Sequence, residues 1–89
     1  MNQEDKISAI NQVVDSFFIA NYDLDKIPAK DLVPNFISAG IFEKDHRKGL
    51  PIRDFLRDLD DKKQLNLIPT VLPERKKVNT NWFFVRKSS

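Results

Sequence analysis

Ile27 to Phe42 read IPAKDLVPNFISAGIF, and this stretch decides the fold. Pro34 is costly deep inside a helix but tolerated in a first turn, where its missing N–H has no partner. A helix therefore starts near Asp31, with Asp31 as its cap. Leu32, Val33, Phe36 and Ile37 form its apolar face, and Gly40 follows as a C-terminal cap. Ile27 and Pro28 then fall in a short extended segment, and Ile41 and Phe42 fold back onto a core. This helix spans about 30–39, by typical boundary error.

Upstream, Ile7, Ile10, Val13, Val14, Phe17 and Phe18 recur at three- and four-residue steps, which predicts a helix over 4–20. Glu4 and Asp5 sit in its first turn, where they complement the helix dipole. Downstream, EKDHRKG (Glu43 to Gly49) is a charged loop. Pro51, Ile52, Phe55, Leu56 and Leu59 then place a third helix over 51–63. From Leu65 the period changes. Leu65, Leu67, Ile68, Val71 and Leu72 are interrupted by Pro69 and Pro73, which suits an edge strand. Thr80-Asn81-Trp82-Phe83-Phe84-Val85 is a stronger strand. A hairpin over 66–86, with its tip near Lys76, joins the two.

The order is helix, extended segment, helix, turn, helix and hairpin. With the Ile27–Phe42 stretch, it resembles the winged helix-turn-helix superfamily from Asp5 to Lys87. The expected fold is α+β, a three-helix winged-helix-like domain with a C-terminal hairpin wing. The resemblance implies a third helix facing a DNA groove and a wing on the backbone. It carries no catalytic motif.

The chain has 89 residues, which fits one domain over 1–89. It has no cysteine, which excludes disulfides, thiolate zinc and a Cys nucleophile. The N-terminus lacks a signal-peptide pattern, and no apolar run approaches the ~18 residues of a membrane span. The expectation is a cytoplasmic or nuclear protein, not secreted and not in a membrane. Charge is uneven: residues 1–40 carry −3 and residues 41–89 carry +5. Partner arguments start in the basic half.

Arg75, Lys76 and Lys77 form a run at the hairpin tip, beside Asn79 and Asn81, suited to phosphates. The alternative is a solvated turn that discourages edge association. Arg47 and Lys48 in the loop before the third helix add possible contacts. Arg53 and Arg57 lie one turn apart on that helix and could reach phosphates or guanine edges. They could equally form surface pairs, Asp54–Arg57 and Arg57–Asp61. Four acids balance four bases over residues 51–64, which makes the helix itself a poor groove reader.

His46 has no second His or Cys to converge with. Asp58, Asp60 and Asp61 point in different directions on a helix, which disfavours magnesium. No phosphate loop, dinucleotide fingerprint or nucleophile elbow is present. The chain is expected to be non-catalytic, with no cofactor. Two functions remain open: a nucleic-acid-binding module working through its wing, and a protein-interaction or homodimerising module. By period two, Trp82 and Phe84 share one strand face and Phe83 and Val85 the other. A hairpin in so small a domain leaves one of those faces either as a candidate surface for a partner or a self-contact, or covered by the first helix or the Ile27 strand. The expected core holds Phe17, Phe36, Phe55, Leu56 and one of Trp82 or Phe83.

Overall fold

The computed structural model describes residues 2–43 and 50–86. Helix α1 spans Gln3–Ala20. The Asn2 side chain caps it, accepting from the Asp5 N–H at 2.8 Å. Ile10, Val14 and Phe18, at four-residue steps, form its buried stripe. Phe18 therefore replaces Phe17 as the expected core aromatic. Phe17 lies on the flank, half-buried and edge-on to Phe18, with centroids 5.3 Å apart.

Strand β1 is the short segment Lys26–Pro28. It runs into a 3-10 turn over Ala29–Leu32, and helix α2 follows over Val33–Ser38. The expected Asp31 cap is not used. The 3-10 turn leads straight into α2, Leu32 takes the cap position, and no side chain caps it. Pro34 stands in the first turn, where its missing donor costs nothing. The helix ends in a Schellman motif. Gly40 sits at φ +77°, its N–H donates to Ile37 O, and the Ile41 N–H donates to Phe36 O, both at 2.9 Å.

Helix α3 spans Leu50–Asp61 and buries Ile52, Leu56 and Leu59. Phe55, expected in the core, is only half-buried. It sits one position off that stripe, edge-on to Phe42 at 6.4 Å. The end of α3 repeats the Schellman bonds, with Lys63 N–H to Asp60 O and Gln64 N–H to Leu59 O. Here the left-handed position holds Lys63, at φ 57°. A side chain in that conformation costs roughly 1–2 kcal/mol that glycine avoids. Lys63→Gly is expected to raise stability by about 0.5–1 kcal/mol after its extra unfolded-state entropy. A lower urea midpoint for the variant would contradict this.

Leu65–Leu67 is a second 3-10 turn rather than the start of a strand. The strand begins only after Pro69, since that proline and the turn break the ladder. Strand β2 covers Val71–Arg75 and β3 Thr80–Val85. The three strands form an antiparallel sheet in the order β1-β3-β2. Phe84 pairs with Ile27 on one side and Val71 on the other. β2 is an edge strand, as Pro73 requires.

The helices cover one face of this sheet. Trp82 and Phe84 point into the core, joined there by Phe36, Leu32, Leu56 and Val14. Phe36 meets Phe84 edge-on at 5.9 Å and Phe42 at 6.1 Å. The Trp82/Phe84 face is therefore closed to a partner. The outer face carries Phe83, half-buried beneath Lys26, whose Nζ stands 4.2 Å from the ring centroid. The same ammonium pairs with Glu74 at 3.2 Å, so β1 and β2 close over the central aromatic.

Candidate nucleic-acid interface

The hairpin turns through Lys76-Lys77-Val78-Asn79, closed by the Lys76 N–H donating to Asn79 O at 2.8 Å. All four residues are exposed. Arg75 stands one residue before the turn, on the side of β2 that faces the helices. Its guanidinium meets both carboxylate oxygens of Asp60 on α3, each at 2.8 Å. This planar fork-to-fork pairing ties the hairpin to α3 with geometric specificity. It engages Arg75 within the fold and leaves Lys76 and Lys77 as the exposed cations of the tip.

The Arg75 hydrogen bonds hold the Asp60 carboxyl below its ordinary 3.8, aided by the guanidinium charge and opposed by burial. A depressed carboxyl pKa contributes stability that is present above the ordinary carboxylate range. That contribution is lost as pH falls through the folded value. Arg75→Gln is expected to raise the Asp60 midpoint in a carbon-detected carboxyl titration. An unmoved midpoint would mean the fork is not populated in solution.

Helix α3 is less acidic toward a ligand than its composition implies. Asp58 pairs with Lys62 at 3.0 Å, and Asp60 with Arg75. The expected pairs Asp54–Arg57 and Arg57–Asp61 do not form among the described residues. Arg57 is exposed and Arg53 half-buried. Arg53 lies against the turn end of β3, in a cleft of about 440 Å³ shared with Lys30, Asn79, Thr80, Asn81 and Trp82. Arg47, Lys48 and His46 lie outside the described residues.

Tertiary structure thus groups Arg53 with Asn79 and Asn81, while Arg75, paired across the strands with Thr80, gives its side chain to Asp60. It also adds Lys30, which no sequence pattern marks. Lys30 follows β1 directly and reaches the cleft only because the chain turns there. Arg86 is a second residue without a local signal. Its guanidinium donates to Phe18 O at 2.8 Å, to Asn21 O at 2.9 Å and to Leu24 O, and it lies 5.2 Å from the Phe18 ring centroid. It closes the C-terminal end of α1, where free carbonyls favour a cation.

Among the described residues no group of three acidic, His or Cys side chains is placed to hold a metal, and no helix is long and apolar enough to cross a membrane. Compared with known proteins, the chain matches no family model, no curated protein and no solved structure.

Proposed function

We propose that this chain is a non-catalytic nucleic-acid-binding module of winged-helix type, meeting phosphates through its hairpin and the adjoining helix α3. The element order and the β1-β3-β2 sheet, with the basic turn at the far end of its hairpin, support the fold side of this reading. The observation that carries the functional side is the internal neutralisation of α3. Two of its four carboxylates are paired within the fold, while Lys76, Lys77 and Arg57 project into solvent. The surface near the hairpin is therefore more cationic than the zero net charge of residues 51–64 indicates.

The test is fluorescence anisotropy with a labelled generic duplex at ~50 mM salt, where phosphate contacts are strongest. Replacing Lys76 and Lys77 by alanine is expected to weaken binding to all sequences alike. It should flatten the slope of log K against log salt by about 1.8, at ~0.9 per lost contact. Arg57→Ala should reduce discrimination between sequences only where the side chain reaches base edges. Absence of any binding by the unmodified protein under these conditions rejects the reading.

A second reading, self-association or binding of a protein, is favoured by one observation. Ile19 and Tyr22, at the end of α1, are 79% and 84% exposed. With the Trp82/Phe84 face buried, this end of α1 takes its place as the candidate apolar contact. Light scattering of the unmodified protein and of Ile19→Ser decides it. A monomer at every concentration argues against self-association.

A further inference from the structure

The cleft beside the turn end of β3 exists because β1 is too short. β1 ends at Pro28, opposite Phe83, whereas β3 begins three residues earlier, at Thr80. Thr80, Asn81 and Trp82 therefore have a strand neighbour on the β2 side only. On the other side the chain leaves the sheet into the Ala29–Leu32 turn. The gap between that turn and the edge of β3 is the cleft of about 440 Å³, within the size range of ligand-binding clefts.

Its lining has one sign of charge. Lys30 enters from the turn and Arg53 from α3, and no carboxylate lines the cleft among the described residues. Asn79 and Asn81 add side-chain amides, and Thr80 adds a hydroxyl. Paired cations with amide and hydroxyl donors beside an open strand edge form a donor set for a tetrahedral oxyanion. A neutral or cationic ligand would leave both cations uncompensated.

We propose that this cleft seats a phosphate of a nucleic-acid backbone, held by Lys30 and Arg53 and hydrogen-bonded by Asn79, Thr80 and Asn81. This inference rests on the nucleic-acid reading above and adds a contact point beside the turn lysines, on the β1 side of β3. The tip lysines then serve the next stretch of the same backbone. The phosphate can belong to a duplex or a single strand, and the two sources separate by experiment.

The chain contains one tryptophan, Trp82, and it lines the cleft. Its emission reports occupancy there, while anisotropy of a labelled oligonucleotide reports binding anywhere. The full chain is titrated at ~50 mM salt with a labelled duplex and, separately, with a labelled oligothymidylate. The expected result is a saturable change in Trp82 emission that tracks the anisotropy. The form that saturates at the lower concentration is the source. Lys30→Gln with Arg53→Gln should weaken binding about tenfold or more, as loss of charged hydrogen bonds does. The salt slope should flatten by about 0.9 for a duplex or 0.7 for a single strand, as loss of one seated phosphate requires. Lys76→Ala with Lys77→Ala should bind more weakly yet keep the full Trp82 response at saturation.

Lys30→Glu, at an exposed position, repeats the test should the double variant fold poorly. Binding seen by anisotropy with a silent Trp82, and Lys30 and Arg53 variants that bind as the parent does, would overturn the cleft and leave the broader reading standing. An equal Trp82 response to an oligoglutamate of matching charge would reassign the cleft to acidic peptides. Absence of anisotropy binding to both oligonucleotides would overturn both readings together.

Discussion

Phe36→Ala is expected to cost about 3–5 kcal/mol, the range for removing a buried aromatic ring. Phe36 is completely buried and meets two other rings edge-on, Phe84 of the sheet and Phe42 after α2. Its ring thus joins α2 to the central strand. Phe36 belongs to one buried cluster with Leu32, Val33 and Phe84, so the ring removed by alanine lies wholly within the core. Phe55→Ala should cost distinctly less, because its ring is half-buried against Phe42 at the margin of the core. For a domain of this size about 1 kcal/mol moves the thermal midpoint by roughly 4–8 °C, so the two variants separate clearly. Equal losses in both would place α3 one position around its axis from the arrangement described.

Arg86→Ala should give the second largest loss, about 1.5–3 kcal/mol, the range for charge-assisted hydrogen bonds to the backbone. The side chain is about one-third exposed, and that limits the effect. Three carbonyls depend on it, at Phe18, Asn21 and Leu24, and water reaches the half-buried end of α1 only in part. Its ion pair with Asp25 is long, 3.4 Å, with Asp25 89% exposed, and adds little. The decisive comparison is Arg86→Lys. A point charge near the helix end keeps the dipole interaction but cannot satisfy three acceptors from one plane. Lysine should therefore recover less than half of the loss in urea unfolding. Full recovery would show that charge alone, rather than the fork, closes the helix.

The local order of elements was legible because each segment carries its own signal. The four-residue steps from Ile7 to Phe18 can be satisfied only by a helix, and Pro34 and Gly40 bracket the second helix from either end. The alternation through Trp82 and Phe84 is that of a strand with one buried face. Each of these signals involves residues within a few positions of one another. Local stereochemistry and the hydrophobic period act there without reference to the rest of the chain.

What required the tertiary structure was the choice within each face and every contact between distant segments. A stripe of six apolar residues on α1 does not say whether Phe17 or Phe18 meets the core. The angle at which α2 and the sheet approach decides it, and α3 shows the same limit with Phe55. The basic run Arg75-Lys76-Lys77 reads as one patch, yet the pleat turns Arg75 toward Asp60 and leaves the lysines outside. Lys30 and Arg53 lie 23 positions apart and share a cleft only because β1 stops at Pro28. Arg86 reaches carbonyls more than 60 positions earlier. Period and propensity determined the helices and strands of this protein. Its long-range ion pairs, its cleft and its buried aromatics were decided by chain reversal and packing, which bring together groups that no local pattern relates.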